Sequence, residues 1–245
     1  MKQLKVIFLK DLKGIFRSPI LYLILAFYLF LLGLLFSHYL SELSLVNSLT
    51  LTYAVYRPLL GNMNFLLLFL LPLLGMNSFS LELRQGTFSW YKRAKVSPHI
   101  LLLSKSLALS VVMGCFLIIS SFFPLFLVWM GMNDWGILWV SLQGLFLNAL
   151  CYTLMGVFIS GLSRSPFLVG PLSLGVSFFF LILLILANNV NLPEWGQFIR
   201  YLSLAFYFEF FTRGLWGSIP FVYFISLCLF LYVLSYGNLQ NRLKF

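Results

Sequence analysis

Six stretches of 24 to 29 residues run without one charged side chain: Ser18–Ser41, Pro58–Leu81, Ser106–Asn133, Trp135–Ser163, Ser165–Pro193 and Gly214–Asn241. A bilayer core about 30 Å thick is crossed by about 20 residues of helix, so each stretch has room for one crossing and not two. A charge at the bilayer centre costs roughly 2.5–3.5 kcal/mol on insertion scales, which is why the charges mark the ends of the stretches. Backbone polar groups in lipid must be satisfied within the protein, so such a stretch crosses as helix. The expected fold is a single all-α integral membrane domain, residues 1–245, with six transmembrane helices. They lie near 20–37, 63–81, 100–130, 136–162, 167–188 and 217–237.

Composition excludes the soluble classes. The chain is 61% hydrophobic and 9% charged, against about 25% charged residues in an average soluble domain. A net charge of +10 would point to nucleic acid in a soluble protein. Here the basic residues flank apolar spans, so they read as topology signals and contacts to anionic lipid, with no nucleic-acid partner. Cys115, Cys151 and Cys228 all lie inside apolar stretches, without metal-ligand spacing, and read as small packing residues. The apolar run from Ile20 is long enough to span, so the N-terminal region reads as an uncleaved first span rather than a signal peptide.

The basic residues also assign the sides. Segments joined by alternate crossings, including both termini, hold 13 of the 16 Lys and Arg residues; the opposite segments hold only Arg57, Arg200 and Arg213. This positive-inside bias predicts cytoplasmic termini for a multi-pass membrane protein. On the first 18 residues, Leu4, Ile7, Phe8, Leu12, Ile15 and Phe16 share one helical face, and Lys10, Lys13 and Arg17 another. That pattern predicts an amphipathic helix lying in the membrane interface, with a plain basic tail as the other reading. Pro19 ends it before the first span.

Two further segments stand out. Residues 82–98, Glu-Leu-Arg-Gln-Gly-Thr-Phe-Ser-Trp-Tyr-Lys-Arg-Ala-Lys-Val-Ser-Pro, form a polar island on the inner side, and a soluble partner could dock there. Gly86 permits a tight turn, and Thr87 can cap a helix starting beside it. Phe88, Trp90 and Tyr91 read either as anchors in a partner's groove or as headgroup-belt aromatics. On the outer side, residues 38–62 carry Tyr39, Tyr53, Tyr56 and Arg57. Residues 189–216 are too polar to span, yet Phe198, Ile199, Leu202, Ala205 and Phe206 recur at helical spacing. This predicts an outer re-entrant or interfacial helical hairpin before the sixth span.

Much chemistry is missing. There is no phosphate-binding Gly-x-x-x-x-Gly-Lys-Ser/Thr loop, no His-Glu-x-x-His helix and no Gly-x-Ser-x-Gly elbow. His38 and His99 fall on opposite sides. No ionisable residue is expected to be buried mid-span. Mid-span Asn77, Gln143, Asn148 and Thr153 read as interhelical hydrogen-bonding groups, with a polar conduit as the alternative. Gly144, Gly156 and Gly161 read as packing residues. No catalytic, cofactor or metal residue is assigned, so energy for any work has to come from a partner.

The island resembles the signature of type-2 ABC transporter permeases, the membrane subunits of exporters. An acidic residue, a basic one, Gly-Thr, an apolar turn, a Ser-Pro break and a Lys near the start of the next span appear here. The matching residues are Glu82, Arg84, Gly86, Thr87, Phe88, Val96, Ser97, Pro98 and Lys105. The segment Phe8–Pro19 is similar to the family's amphipathic N-terminal helix. Tyr201–Gly214 resembles the outer segment of the gliding-motility permease subfamily, with Tyr207 where a His is common. The resemblance covers essentially the whole chain. Its Trp90-Tyr-Lys-Arg-Ala-Lys95 stretch departs from a more aliphatic pattern.

The resemblance implies that residues 82–98 are a coupling helix seated on an ATP-binding subunit, with Glu82, Arg84, Gly86, Thr87, Phe88, Trp90, Tyr91, Arg93 and Pro98 at the contact. It implies Phe8, Lys10, Lys13 and Arg17 on the interface helix, and Glu209, Arg213 and Gly214 in the outer segment. The implied partners are two ABC ATPase subunits carrying ATP and Mg, a second permease copy (identical or paralogous), membrane lipid, and a periplasmic or auxiliary subunit. The implied function is ATP-driven export or force transmission. The rival classes are an intramembrane enzyme, which needs a cluster of Glu, His, Ser or Asp near a membrane border, and a passive channel or scaffold.

Overall fold

The computed structural model describes residues 2–43, 55–130, 134–189 and 193–243. Those residues are all-helical, and six helical runs are long and apolar enough to cross a membrane: Pro19–Ser41, Arg57–Gln85, Pro98–Trp129, Trp135–Leu162, Pro166–Asn189 and Ser218–Arg242. Tyr53 and residues 190–192 fall outside the described set.

The chain begins with α1 (Lys2–Arg17) and, after Ser18, turns into α2 (Pro19–Leu43). Pro19 suits a helix start, where no intrahelical N–H is needed. The second crossing is α3 (Arg57–Gly75) continued by α4 (Asn77–Gln85), broken at Met76 four residues after Pro72. A short α5 (Phe88–Arg93) leads to α6 (Pro98–Ser120) and α7 (Phe122–Trp129), the third crossing. Then come α8 (Trp135–Leu162) and α9 (Pro166–Asn189). Two short helices, α10 (Pro193–Leu202) and α11 (Leu204–Thr212), precede α12 (Ser218–Leu243).

Helix α8 is the axis of the bundle. It packs against α3, α4, α6, α9, α11 and α12. In its most apolar stretch 67% of residues are buried, against 17% for α2. Small residues let the neighbours approach. A Cβ on Gly156 would lie 2.9 Å from the Pro72 carbonyl oxygen, and one on Gly75 would lie 3.0 Å from the Gly156 Cα. Glycine meeting glycine brings α3 and α8 into backbone contact, the kind of packing that joins helices in lipid. Farther along, Asn148 Nδ2 donates to Asn64 Oδ1 at 2.7 Å between the same two helices. Thr153 hydrogen-bonds its own helix at Leu150.

Helix α11 lies along α8. A Cβ on Gly144 would collide with Phe211, and the Ser141 hydroxyl donates to the Phe211 carbonyl at 3.1 Å. Gly144 is nine residues into α8, about 13 Å along the axis, so α11 reaches well past that helix's first turns. Gly214, at φ +73°, makes the reversal into α12; a Cβ there would sit 2.8 Å from Ile137.

The ends of the crossings sort by charge. Contacts between α1 and α4, α1 and α6, α6 and α12, and α8 and α12 bring the basic segments to one end. We call this the basic end. It has its own apolar cluster, which includes Ile7, Phe79, Phe88, Val96, Leu101 and Leu102.

Candidate functional site

The polar island is not one helix. Glu82 and Arg84 belong to α4, and Gly86 ends that helix at φ +72°, ψ 1°, a left-handed position that favours glycine. Of residues 82–98, helix α5 takes Phe88–Arg93. Thr87 does not cap it through its side chain: its angles (φ −65°, ψ −18°) are already helical, and its hydroxyl donates back to the Glu82 carbonyl at 3.3 Å. Gly86 makes the reversal, so no extended capping residue is needed there. The next helix has a side-chain cap, since Ile100 N–H donates to Ser97 Oγ at 3.4 Å, with Pro98 in the first turn.

The three aromatics of α5 part ways. Phe88 is buried in the apolar cluster. Tyr91 turns inward, edge-on to Phe88 with ring centroids 6.2 Å apart. Trp90 is 72% exposed, in the company of exposed Lys92, Arg93 and Lys95. Only Trp90 of the three is free to anchor a partner. Phe88 and Tyr91 hold the helix down instead.

Beneath α5 lies a cluster of charges. Lys10 on α1 donates to Glu82 Oε1 at 3.1 Å and to the Tyr91 hydroxyl at 2.9 Å, and that hydroxyl donates to Glu82 Oε1 at 2.9 Å. Lys105 on α6 stands 3.0 Å from Glu82 Oε2 and 3.4 Å from Asp11 Oδ2. Both are ion-pair distances, but neither oxygen has a donor in hydrogen-bonding geometry. The Lys105 ammonium also lies 5.1 Å from the centre of the Phe79 ring. Lys105 is 4% exposed and seven residues into its helix, so the Lys expected near the start of the third span is buried among carboxylates there. The span expected at 100–130 holds Lys105, but nothing in the local sequence shows that two carboxylates enclose it.

The cluster ties α1, α4, α5 and α6 together. Burial works against the Lys10 charge, but Tyr91 and the Glu82 carboxylate outweigh it and hold the ammonium above the ordinary lysine range. Burial pushes the Tyr91 phenol up to about 12, so it stays a neutral donor. Burial likewise pushes the Asp11 carboxyl above the ordinary aspartate range, with Lys105 pulling the other way. An ion pair shielded from water holds its geometry but gains little net stability over apolar packing.

The remaining residues singled out by sequence are spread more widely. Arg84, Lys13 and Arg17 are exposed. Phe8 is half-buried beside buried Ile7, so the apolar face of α1 is covered in part by the protein, chiefly α6. Glu209 and Arg213 form an i,i+4 pair at 3.5 Å, both about half exposed. Tyr207, at the position where the resembled subfamily commonly has His, is buried and stacks on Tyr223 at 4.1 Å. The Tyr223 hydroxyl donates to the Leu202 carbonyl at 2.6 Å. Among the contacts unread in the sequence are the Asp11–Lys105 pair, and Cys151 with Cys228, whose sulfurs are 3.4 Å apart. Among the described residues no group of His, Cys, Asp and Glu is arranged to hold a metal ion. Compared with protein-family models and with curated proteins, the chain matches none.

Proposed function

We propose that this chain is the membrane-spanning permease subunit of an ATP-driven ABC exporter, with residues 82–98 receiving motion from a separate ATPase. The observation that carries the reading is α5. Its outer side presents Trp90, Lys92 and Arg93, while its inner side is fastened through Tyr91, Glu82 and Lys10 to the ends of the crossings. A push on such a helix moves α1, α4 and α6 together instead of bending a loop. The sequence resemblance in the island, at Phe8–Pro19 and at Tyr201–Gly214 points the same way.

In this reading the basic end faces the cytoplasm of a bacterial inner membrane, as the 13-to-3 distribution of basic residues implies. Helix α1 lies at the inner membrane interface, and α10 with α11 form the outer re-entrant hairpin. Two copies of the chain, or this chain and a paralogue, pair with two ATPase subunits, which hold ATP and Mg. A periplasmic or auxiliary subunit completes the assembly where force is passed to the envelope. Export of a hydrophobic or surface-bound substrate fits a chain whose outer segments, 38–62 and 189–216, show no docking domain for a substrate-binding protein.

The test is co-purification with a P-loop ATPase from the native membrane, comparing wild type with Glu82→Lys plus Trp90→Ala. The wild type is expected to retain the ATPase and the double variant to lose it. Equal retention by both, or none by the wild type, refutes the reading. Substrate-stimulated ATP hydrolysis in liposomes separates transport from force transmission alone.

A further inference from the structure

A groove of about 570 Å³ lies under the elbow between α1 and α2, walled on its other side by α3, α4 and α6. Its volume is that of a small-ligand site. Its deep wall is apolar, made by Ile15, Leu21, Ile24, Leu73, Leu74 and Leu109. Its other end is polar: Lys10, Asp11, Glu82 and Lys105, flanked by Asn77 and Gln85. Ile20 at the rim is 60% exposed, so the groove opens where the basic end meets the first crossing. An apolar wall with a charged end at this level matches an amphiphile lying in a membrane leaflet.

The charges narrow the head group. Two carboxylates and two ammoniums cancel, so an anionic or a cationic head alone would leave the cluster unbalanced. A zwitterion leaves it balanced. The Lys10 ammonium has three donors, and two are spent on Glu82 and Tyr91, leaving one for an acceptor such as a phosphate. Asp11 lines the groove and meets Lys105 only at 3.4 Å, without hydrogen-bonding geometry at Oδ2. An N–H donor from a ligand would give that carboxylate a hydrogen bond.

We propose that this groove binds a membrane lipid of the phosphatidylethanolamine class, its ammonium at Asp11, its phosphate at Lys10, and part of one acyl chain along Leu21, Ile24 and Leu74. The site stands on the groove itself and does not depend on the ATPase reading. Because Lys10 and Glu82 belong to both the groove and the support of α5, a bound head group steadies α5 as well.

The experiment uses the full chain in nanodiscs holding equal parts of phosphatidylethanolamine, phosphatidylcholine and phosphatidylglycerol. Lipid retained after transfer to detergent is counted by native mass spectrometry. Phosphatidylethanolamine is expected to be retained about tenfold over phosphatidylcholine, whose head has no N–H, the size of one charge-assisted hydrogen bond. Equal or greater retention of phosphatidylglycerol or phosphatidylcholine overturns the proposal. A Cβ on Gly14 meets nothing within 4 Å, and Gly14 lines the groove. Gly14→Phe therefore fills the groove and is expected to lose the retained lipid, while Gly14→Ala keeps it; unchanged retention in Gly14→Phe overturns the site. A phosphatidylethanolamine with a photoreactive acyl chain decides the matter on the unsubstituted protein. Adducts on Ile15, Leu21 or Leu74 support the site, and adducts only on α9 or α12 overturn it. Amide exchange across residues 86–97 is expected to slow with phosphatidylethanolamine present, and no slowing overturns the link to α5.

Discussion

Midway along the bundle, α3 and α8 share a neutral hydrogen bond, Asn148 to Asn64, and farther along they meet at Gly75 and Gly156. At the basic end, α1, α4, α5 and α6 share two lysines, two carboxylates and a tyrosine. The first arrangement is neutral and so less expensive to desolvate than charges, and it is held by one bond, with Asn148 Oδ1 left without a partner. The second is expensive to bury, and apolar residues of similar size would pack as stably. Stability therefore accounts for the Asn pair but not for the charges. What the charges add is direction, because four helices are fixed at one geometry by contacts that a shift of an ångström would break. The middle of the molecule is glued, and the basic end is aligned.

The hardest blow to that contrast is Lys105→Met. It leaves Glu82 and Asp11 shielded without their shared cation, and a loss of about 3–5 kcal/mol is expected, read as unfolding in detergent. Adding Glu82→Gln and Asp11→Leu should restore most of it. A neutral Lys105→Met would mean that water reaches the cluster and aligns nothing. Gly156→Ala comes next, at about 1–3 kcal/mol, because the Pro72 backbone facing it cannot swing aside. Asn148→Ala is expected to cost about 0.6 kcal/mol and at most about 1.7. A double-mutant cycle with Asn64→Ala should assign that cost to the pair. Trp90→Ala is expected to change stability by less than about 0.5 kcal/mol, as for an exposed side chain, while abolishing ATPase co-purification. A large stability loss there would make Trp90 part of the alignment, not of the docking face.

The crossings were legible because a charge in lipid is so costly that its absence draws the boundary, and the six long helices fall where the six charge-free stretches lie. Gly86 was legible from its place before a polar turn. The close contacts of Gly144 and Gly156 were legible as packing, though not their partners Phe211 and Pro72. Lys105 was placed near the start of the third crossing, but a rule that reads charges as span ends cannot see that such a charge is buried and paired. Its partner Asp11 is 94 positions away, and no local pattern links the two. Phe88 looked like an anchor because a six-residue helix has too little periodicity to show its buried face.

Helix α5 is bracketed by two residues in left-handed backbone, Gly86 at φ 72° and Lys95 at φ 48°. Such brackets keep α4, α5 and α6 from merging, and they also set rotational phase. Each residue of helix turns the chain by about 100°. One residue inserted within Phe88–Arg93 would thus tend to swing everything after it around its own axis, carrying Lys105 off Glu82 and Trp90 out of step with the crossing it serves. The length of this short helix works as a gear setting, and two otherwise faultless chains differing by one residue there would be expected to mesh differently with the same partner.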